Sequence, residues 1–537
     1  MKSVALFSLF LFCVGANANS QIKGEKVEIN VRELGSPGSV WPQPQHYSST
    51  TQTYAVVAEA FQFVYSSTSH KCDLLTEAFK RYETLIYNNV ATIKLKYFPR
   101  DVASIKTLEV DLMSPCEDYP SDHMKESYAL DVADKASLTS DTVWGILRGL
   151  ETFSQLLWAS DSNQVVVNKT NIIDYPRYAF RGVMIDTARH YLPLNAILQT
   201  LDAMSYNKFN VLHWHIVDDQ SFPYVSDVYP DLSIKGAYDD RTHIYTREDI
   251  AAVIEFARLR GIRVIPEFDS PGHSTSWGKG QPGLLTPCYS NGKPDGTFGP
   301  INPTLNSTYT FVKNLFGDVK QVFHDNYIHL GGDEVQFNCW QSNPNITKWM
   351  SDKNITGDYS KLEQVYIQNV IDISETIGYS YIVWQEVIDN GVKVQSDTVV
   401  EVWKNNHPDQ EVAKVTAMGL RAIVSAPWYL NIISYGQDWH KYYQYDPSNF
   451  NGTAEQKALV MGGEACIWGE YVDATNLSPR LWPRASAVAE RLWSAESVND
   501  VDAAYPRLDQ QRCRMIRRGI PAQPLYIGFC PHEWKNY

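Results

Sequence analysis

The sequence predicts an α/β protein in which a (β/α)8 TIM barrel follows a smaller α+β domain. Its 537 residues suffice for two to four domains at roughly 100 to 200 residues each. Short apolar runs alternate with helical patterns through most of the chain, and polar or aromatic residues follow nearly every run. Strands that alternate with helices form such a barrel, and its functional groups gather where the strands end.

The barrel is predicted over residues 176–498, where short apolar runs indicate eight strands. They are Gly182 to Ile185, Asn210 to Val217, Arg263 to Phe268, Tyr327 to Leu330, Tyr381 to Trp384, Thr398 to Trp403, Arg421 to Ser425 and Leu459 to Cys466. Helical spacing of apolar residues covers Asn195 to Ser205, Thr246 to Arg260, Ser360 to Ile377 and Gln410 to Met418. An open doubly wound sheet is the competing architecture, but it usually has fewer strands, and no Gly-rich phosphate turn follows the first run.

Residues 19–175 are predicted to form the preceding α+β domain. Alternating apolar and polar residues indicate strands over Ala91 to Tyr97 and Tyr128 to Val132, and helical spacing covers Asp141 to Trp158. Residues 499–537 carry the last two cysteines and show no core of their own. We expect this C-terminal tail to pack on the barrel.

Residues 1–18 have the three parts of a secretory signal peptide. Met1 to Ser3 carry the positive charge, Val4 to Val14 are largely apolar, and Ala16-Asn17-Ala18 provide small residues for cleavage. An uncleaved membrane anchor is the alternative, but the apolar run is shorter than the ~20 residues that span a bilayer. We therefore expect a soluble lumenal or secreted protein without a membrane span.

Charge and composition exclude several classes of protein. Lys and Arg number 47 against 61 Asp and Glu, and the net charge of −14 opposes the counterion release that drives binding to nucleic acids. A hydrophobic fraction of 44% is ordinary for a globular protein, so a disordered or fibrous chain is excluded. The 15 Trp and 32 Tyr are an excess of aromatic side chains, and several of them follow predicted strands.

Seven cysteines remain after removal of the predicted signal, which contains Cys13. Six of them fall into three neighbourhoods along the chain and are expected to form disulfides, Cys72 with Cys116, Cys288 with Cys339, and Cys513 with Cys530. An odd count leaves a free thiol or an intermolecular bridge, and Cys466, inside an apolar run, is expected to pack as a small buried hydrophobe. Five N-x-S/T sequons agree with secretion, at Asn168, Asn306, Asn345, Asn354 and Asn451.

Side chains that suit a sugar-binding cavity follow the predicted strands. These carboxylates, cations and aromatic residues include Asp186, Arg189, Asp218, Asp269, His273, Asp333, Glu334, Trp384, Trp403, Tyr429, Trp468 and Glu470. In a barrel the strand ends converge on one face, so these residues would line one cavity. A single strand-end Trp more often packs structurally, and a single loop Asp is usually a solvated turn residue. Their coincidence after successive strands favours a binding site.

Gly331-Gly332-Asp333-Glu334 is the most specific of these segments. Two glycines permit a tight exit from the strand and a close approach of ligand to backbone. Adjacent side chains of an extended segment point in different directions, so one carboxyl can protonate a leaving oxygen while its neighbour has another task. An ordinary turn is the alternative for the tetrapeptide by itself.

Five longer segments carry a resemblance to a known family. They are 180–191 (FRGVMIDTARHY), 213–223 (HWHIVDDQSFP), 267–273 (EFDSPGH), 329–334 (HLGGDE) and 463–470 (GEACIWGE). In this order they closely resemble the lysosomal β-N-acetylhexosaminidases of glycoside hydrolase family 20. The likeness extends to Arg480-Leu481-Trp482-Pro483-Arg484-Ala485 and to Glu490-Arg491-Leu492-Trp493-Ser494.

The resemblance implies a retaining enzyme that removes terminal β-linked GlcNAc or GalNAc, needs no cofactor or metal, and forms a homodimer. In this family the 2-acetamido oxygen of the substrate attacks the anomeric carbon and forms an oxazoline, an exception among glycosidases. By similarity, Glu334 is the general acid and then the base, Asp333 orients the acetamido group, and Asp218 and His273 position Glu334. A neutral Glu334 requires a raised pKa, which we expect from the adjacent Asp333 charge and from partial burial.

The resemblance also assigns the substrate pocket. The acetamido group would be enclosed by three indoles and one phenol, whose hydroxyl donates to the carbonyl oxygen; these are Trp384, Trp403, Trp468 and Tyr429. Arg189 would bind the sugar hydroxyls at C3 and C4, and Glu470 those at C4 and C6.

One segment departs from the family pattern. Relatives that accept charged substrates carry Asn-Arg after Trp-Tyr-Leu, and the neutral-substrate type carries Asp-Leu. This chain has Asn431 followed by Ile432, an Asn without the Arg. We therefore expect hydrolysis of neutral hexosamines and weak activity on sulfated ones.

Two other classes of function fit parts of the sequence. His213 and His215 lie on one side of a strand, so with His273 and Asp333 they could hold a catalytic metal, although such residues are more often satisfied core groups. A noncatalytic glycan-binding protein on the same scaffold is the second class. The intact pair of Asp333 and Glu334 argues against it.

Overall fold

The computed structural model describes residues 38–56, 60–91, 103–159 and 165–530. The predicted signal at residues 1–18 lies outside this part of the chain, as do residues 92–97 of one predicted strand. Ala91, where that strand was expected to begin, is instead the last residue of a helix. Among the described helices, none is both long and apolar enough to cross a membrane.

An eight-stranded sheet with two helices precedes the barrel. Its elements are β1 (His46–Val56), β2 (Gln62–Tyr65), α1 (Asp73–Ala91), β3 (Ser104–Ile105), β4 (Thr107–Leu112), β5 (Tyr128–Val132), β6 (Ala136–Ser140), α2 (Val143–Leu156), β7 (Trp158–Ala159) and β8 (Val165–Asp174). The strand order is β2-β4-β6-β5-β8-β1-β3, with β7 beside β8. Alternate residues of β4, β5 and β6 are buried, which is typical of a sheet with one face in solvent. The predicted strand at β5 and the predicted helix at α2 are confirmed.

Helix α2 is buried along its whole length because it lies between the sheet and the barrel. Glu126, just before β5, pairs with Arg148 of α2 at 2.8 Å and with Arg181 of the barrel at 2.6 Å. A second buried pair joins Lys208 to Asp174, the last residue of β8, at 2.9 Å. Charges removed from water must be paired, so these contacts define how the sheet sits on the barrel.

The second part of the chain forms the barrel and its insertions. Its elements are β9 (Phe180–Asp186), α3 (Leu194–Tyr206), β10 (Val211–His215), α4 (Asp231–Gly236), α5 (Arg247–Arg258), β11 (Arg263–Glu267), α6 (Thr275–Gly280), β12 (Leu285–Ser290), β13 (Lys293–Ile301), α7 (Asn306–Lys320), β14 (Tyr327–His329), α8 (Asn338–Ser342), α9 (Pro344–Asp352), α10 (Tyr359–Ile377), β15 (Ser380–Trp384), α11 (Glu386–Asp389), β16 (Val399–Val402), α12 (Pro408–Ala417), β17 (Arg421–Val424), α13 (Trp439–Gln444), α14 (Ala454–Ala458), β18 (Val460–Ile467), α15 (Leu477–Leu481), α16 (Arg484–Trp493) and α17 (Val501–Arg517).

Eight parallel strands close this barrel in the order β9-β10-β11-β14-β15-β16-β17-β18, and β18 pairs with β9. The TIM barrel and its eight predicted strands are confirmed, each strand to within two residues at either end. The four predicted helices correspond to α3, α5, α10 and α12. The strands are buried on both faces, which explains why they appear in the sequence as continuous apolar runs.

The side chains inside the barrel change from apolar to ionisable along the barrel axis. The lowest layer is apolar and consists of Phe180, Val211, Ile265, Tyr327, Ile382, Val399 and Ile423. Side chains two residues further along a strand point to the same face, and in the next layer they include His213, Glu267, His329, Glu401 and Glu464. Gly182 makes room for this layer, because a Cβ there would lie 2.4 Å from Oε2 of Glu464.

The three predicted disulfides are present in the structure: Cys72 with Cys116, Cys288 with Cys339, and Cys513 with Cys530. The second joins β12 to α8, the short helix that follows the GGDE segment. Cys466 is a buried free thiol, as expected.

The C-terminal helix α17 contacts both parts of the fold. Gln511 donates to the carbonyl oxygen of Tyr206 at the end of α3, and Arg518, just after α17, pairs with Glu151 of α2 at 2.8 Å. The side chains of Leu508 and Met515 are fully buried in the barrel core.

The predicted glycosylation acceptors differ in accessibility. Asn306, Asn345, Asn354 and Asn451 are exposed. Asn168 is half-buried on β8, where it accepts from the indole of Trp158 at 2.8 Å and donates to the carbonyl oxygen of Thr50 at 3.0 Å. Four of the five sequons are therefore open to modification in the folded protein.

Candidate active site

The residues predicted to follow the strands lie together at the C-terminal end of the barrel. Arg189, after β9, pairs with Asp218, after β10, at 2.9 Å. His273, after β11, lies 3.7 Å from Glu334, after β14. The aromatic residues at the ends of β15 to β18 pack against one another. The parallel register brings these distant parts of the chain to one face, as expected for this fold.

The backbone of the GGDE segment turns sharply and separates its two carboxyl groups. Gly331 and Gly332 have φ of 69° and 96°, and Glu334 has φ of 50°, a region that non-glycine residues seldom adopt. Gly331 is required here because a Cβ would lie 1.8 Å from Oδ1 of Asp269. As a result, the side chain of Asp333 is 11% exposed and that of Glu334 is 60% exposed.

The expected chain from Asp218 through His273 to Glu334 is present. Oδ1 of Asp218 lies 3.3 Å from Nδ1 of His273, and Nε2 of the same ring lies 3.7 Å from Glu334 and 3.9 Å from Asp333. Oδ2 of Asp218 pairs with Nε2 of His215 at 2.7 Å. One imidazole therefore connects a fully buried carboxylate to both members of the carboxyl pair.

The charge on this imidazole affects the protonation of Glu334. Burial opposes protonation of His273, but its hydrogen bond to Asp218 and the nearby carboxylate of Glu334 raise its pKa well above the ordinary value. In turn, the imidazolium of His273, 3.7 Å away, lowers the pKa of Glu334 below its ordinary range. The expectation of a raised pKa for Glu334 is therefore wrong. This carboxyl is 60% exposed and faces a cation, so the charge of His273 outweighs the desolvation that would raise its pKa.

Asp333 is the carboxyl whose pKa is raised. Burial, opposed by the charge of His273, raises the pKa of Asp333 to about 6. Burial and the nearby Asp333 also raise the pKa of Asp269 well above its ordinary value. Oδ1 of Asp269 accepts a hydrogen bond from the backbone N–H of Gly332 at 2.8 Å, which holds the turn of the GGDE segment in place. Two carboxyl groups in one apolar space favour a state that retains a proton.

Trp384, Trp403, Trp468 and Tyr429 form the predicted aromatic pocket. Ring centroids of Trp384 lie 6.0 Å from Trp468 and 6.5 Å from Trp403, while Trp403 and Tyr429 stack at 6.2 Å with planes 10° apart. The indole Nε1 of Trp384 donates to Oε1 of Glu267 at 2.8 Å. The walls are apolar surfaces with defined orientations, which suits a small amide group.

Arg189 and Glu470 follow the neighbouring strands β9 and β18. The Arg189 guanidinium pairs with Asp186 and Asp218, both at 2.9 Å, and its centre lies 5.0 Å from the ring of Trp468. Burial opposes the charge, but Asp186 and Asp218 raise the pKa of Arg189, so it remains a cation. Glu470 is exposed, and its charge also acts on Arg189. The two side chains present opposite charges to the mouth of the pocket.

Asn431 lies just beyond Tyr429 in the sequence and is half-buried. Its side-chain oxygen has no hydrogen-bond partner among the described residues, and its backbone oxygen lies 3.5 Å from Nη1 of Arg480. Ile432 is 55% exposed. The position where charged-substrate relatives carry Arg therefore presents an apolar side chain.

The His-rich strand β10 is explained by ion pairs with carboxylates. His213, His329 and Glu401 have atoms within 4.8 Å of one another, a spacing that could suit a metal. However, Nδ1 of His213 lies 2.8 Å from Glu464, and its Nε2 lies 3.0 Å from Glu267. Burial opposes protonation, yet these carboxylates raise the pKa of His213 well above its ordinary value. A doubly protonated imidazole offers no lone pair to a metal, so a site without a metal remains our prediction.

Three carboxylates in the site were left without a role by sequence reasoning. Asp186 holds Arg189, Asp269 holds the GGDE turn, and Glu267 contacts His215 at 2.6 Å. For Glu267 and Asp269 the signal in the sequence is the period-two spacing of ionisable residues at the end of an apolar strand, as in EFD, whereas Asp186 has no such signal. That spacing places Glu267 and Asp269 on the inner face of the barrel.

Comparisons with known proteins agree with this geometry. Residues 178–496 match the model of glycosyl hydrolase family 20, catalytic domain, and residues 40–156 match one described as beta-acetyl hexosaminidase like. The chain is 52% identical to the beta-hexosaminidase subunit alpha of Bos taurus, over 94% of this chain and 97% of the relative. It is 53% identical to the beta-hexosaminidase subunit beta of Homo sapiens, over 93% and 90%. The chitobiase structure of Flavobacterium johnsoniae superposes with a TM-score of 0.78 at 27% identity, covering 90% of this chain and 73% of that chain. The chain belongs to glycosyl hydrolase family 20.

Proposed function

We propose that the protein is a retaining exo-β-N-acetylhexosaminidase, which removes terminal non-reducing GlcNAc or GalNAc from glycoconjugates. One observation carries the proposal: buried Asp333 and exposed Glu334 both face His273 beside an aromatic pocket. This arrangement supplies one carboxyl at the solvent side of a bound sugar and another inside the pocket. The beta-hexosaminidase relatives named above support it.

In the first step, the acetamido carbonyl oxygen of the substrate bonds to the anomeric carbon while the glycosidic bond breaks. Glu334 gives its proton to the departing oxygen. Asp333 accepts a hydrogen bond from the acetamido N–H and stabilises the positive charge that develops on the oxazolinium ring. Tyr429 donates to the carbonyl oxygen and orients it toward the anomeric carbon.

In the second step, water attacks the anomeric carbon and the carboxylate of Glu334 accepts its proton. The bond between that carbon and the acetamido oxygen breaks, which restores the amide. Two displacements at one carbon give net retention, and Glu334 regains its proton for the next cycle.

We infer that substrate binding changes the protonation of Glu334, because His273 holds the pKa of this carboxyl low. A bound sugar would cover this 60% exposed side chain, and removal of water raises the pKa of a carboxyl group. Nε2 of His273 lies 3.7 Å from Oε2 of Glu334, close enough for a small shift to bring the two into a hydrogen bond. We infer that the bound sugar excludes water from Glu334 and so raises its pKa, which allows Glu334 to hold the proton that it gives to the departing oxygen.

The pocket walls have separate tasks in this proposal. The indoles of Trp384, Trp403 and Trp468 enclose the acetamido group, and this contact makes the group the recognised feature. Arg189 binds the hydroxyls at C3 and C4, and Glu470 binds those at C4 and C6. Recognition of C4 by two residues is compatible with both GlcNAc and GalNAc.

We further propose a homodimer that enters the secretory pathway and acts in the lysosome or outside the cell. Ile432, Ile433 and Tyr435 are 55%, 73% and 109% exposed, and they adjoin the pocket residue Tyr429. Exposed apolar patches of this kind mark protein interfaces. Sedimentation velocity of the wild type and of Tyr435→Asp tests the dimer, and an unchanged monomeric profile for both would contradict it.

Turnover of aryl-GlcNAc and aryl-GalNAc in the presence of GlcNAc-thiazoline tests the activity. The thiazoline mimics the oxazoline, so we expect strong competitive inhibition. Glu334→Gln should abolish turnover of phenyl GlcNAc, whose leaving group needs protonation, while sugar binding persists. A noncatalytic glycan-binding protein would bind the sugar without turnover in the wild type, and unchanged turnover in Glu334→Gln would overturn the assignment of the acid.

A further inference from the structure

A layer of ionisable side chains lies inside the barrel beneath the aromatic pocket. It consists of His213, Glu267, His329, Glu401 and Glu464, none more than 2% exposed. Barrel interiors are ordinarily filled by branched apolar residues, as in the layer below. Burial of ionisable groups is costly, and such groups gather at functional sites.

Glu267 is the branching point of this layer. Its Oε2 lies 2.6 Å from Nδ1 of His215 and 3.0 Å from Nε2 of His213. Its Oε1 accepts the indole N–H of Trp384 at 2.8 Å. Burial favours the neutral acid, but the charge of His215 and hydrogen bonds from the two imidazoles hold the pKa of Glu267 well below its ordinary value.

One branch from Glu267 leads to the general acid. The imidazole of His215 bridges Glu267 and Asp218, and its Nε2 lies 2.7 Å from Oδ2 of Asp218. The other oxygen of Asp218 faces His273, and His273 faces Glu334. A carboxylate at each side of His215 keeps both of its nitrogens protonated, so Asp218 accepts on one oxygen and remains free to hold His273 with the other.

The second branch leads to the pocket wall. Trp384 packs against the ring of His329 at 4.6 Å and of Trp468 at 6.0 Å, but these contacts do not define the rotation of its indole. The hydrogen bond to Glu267 defines the rotation of the indole, because it gives the indole N–H a single partner.

We propose that Glu267 is a positioning residue. It fixes the chain of side chains that leads to the acid Glu334 relative to the wall of the acetamido pocket. The proposal rests on the assignment of Glu334 as the acid. Glu267 touches neither the sugar nor the reacting atoms, and it acts through His215 and Trp384. Through this carboxylate, the acetamido oxygen and the departing oxygen are held on opposite sides of the anomeric carbon at the same time.

Glu267→Gln tests the proposal because it retains shape and removes the charge. We would compare phenyl GlcNAc, whose leaving group needs protonation, with 2,4-dinitrophenyl GlcNAc, whose leaving group does not. We expect kcat for the phenyl substrate to fall by up to roughly 100-fold, because misplacement of a catalytic group by about 1 Å can cost that much. The loss with the dinitrophenyl substrate should be several-fold smaller, and the Ki of GlcNAc-thiazoline should rise.

Equal losses for the two substrates with an unchanged Ki would overturn the proposal, because a general structural defect has no leaving-group dependence. A change in only the leaving-group dependence of kcat, or in only the Ki of GlcNAc-thiazoline, would also overturn the proposal, since the two branches would then be independent. Glu334→Gln assayed in parallel separates the two assignments. If the loss in Glu334→Gln is the same for both leaving groups, the acid role of Glu334 is wrong. If that loss depends on the leaving group but the loss in Glu267→Gln does not, only the proposed role of Glu267 is wrong.

Glu363→Gln is the matched control. Glu363 is a fully buried carboxyl on α10 that accepts from Asn390 at 3.0 and 3.1 Å and makes no contact with the chain of side chains that leads to Glu334. It should leave both readouts unchanged. If Glu267→Gln does not fold, Trp384→Phe removes the same hydrogen bond from the other side. We expect its loss to depend on the leaving group, and a uniform loss would contradict the coupling.

Discussion

Nε2 of His273 lies 3.7 Å from Oε2 of Glu334, while Nδ1 of the same ring lies 3.3 Å from Oδ1 of Asp218. The imidazole is thus held between a fully buried carboxylate and a half-exposed one. This asymmetry makes Asp218 the permanent counter-ion and leaves Glu334 as the group that can gain and lose a proton during turnover.

His273→Asn should move the alkaline limb of the pH profile for phenyl GlcNAc to higher pH. The imidazolium lowers the pKa of Glu334, so its removal raises that pKa, and the protonated acid persists to higher pH. We also expect kcat to fall by up to roughly 100-fold because Glu334 loses its positioning partner. The measurement is kcat/KM against pH, which reports the free enzyme. A limb at unchanged or lower pH would show that His273 does not control Glu334.

Asp333→Asn should stabilise the folded protein near neutral pH while it abolishes most activity. Burial raises the pKa of Asp333 to about 6, so the folded state disfavours its charged form. This penalty is absent below the unfolded pKa near 4 and complete above pH 6, where it amounts to at most about 3 kcal/mol. Melting temperatures at pH 4 and pH 7 check the prediction, with the exposed Asp352→Asn as the control. Equal effects at both pH values would be inconsistent with it.

Gly331→Ala should eliminate activity and strongly destabilise the protein. The new Cβ would lie 1.8 Å from Oδ1 of Asp269 and would displace the turn that carries Asp333 and Glu334. Gly419→Ala is the matched control, because Gly419 has φ of 80° with open space around it. There the cost is only that of a left-handed residue, about 1 to 2 kcal/mol, with activity retained. Urea unfolding and kcat with aryl-GlcNAc distinguish the two variants.

The wild type should hydrolyse plain aryl-GlcNAc with higher kcat/KM than its 6-sulfated form, because no Arg follows Asn431. Equal values would contradict this preference. Ile432→Arg should raise relative activity on the sulfated substrate, and the gain should shrink with increasing salt because the added charge is exposed. Met418→Arg places the same charge at an exposed position just before β17, at the other end of the barrel, and controls for net charge.

The strands of the barrel could be predicted closely because their local pattern is strong. Each is a short apolar run between helices, and burial on both faces preserves that pattern regardless of neighbours. The site residues at the strand ends followed from the topology, since parallel strands present their ends to one face. Disulfides between neighbouring segments such as Cys513 and Cys530 were predictable for a similar reason, because sequence proximity implies spatial proximity.

The protonation of the carboxyl pair could not be predicted in this way. Asp333 and Glu334 are adjacent in sequence, yet burial raises the pKa of one and His273 lowers that of the other. The role of Glu267 was also inaccessible, because its partners His215 and Trp384 come from different strands. Ionisation depends on burial and on distances between residues far apart in sequence, and neither is encoded locally.

By itself, the sequence determined the barrel, the family and the set of side chains available for sugar chemistry, because periodicity and motifs are local properties of the chain. Only the tertiary structure decided which carboxyl is buried, which is exposed, and which charges connect them. Closure of the barrel brings His273, Asp218 and Glu267 within hydrogen-bonding reach of one another or of shared partners. Because the interaction between charges weakens with distance, only this closeness in space lets them set one another's protonation.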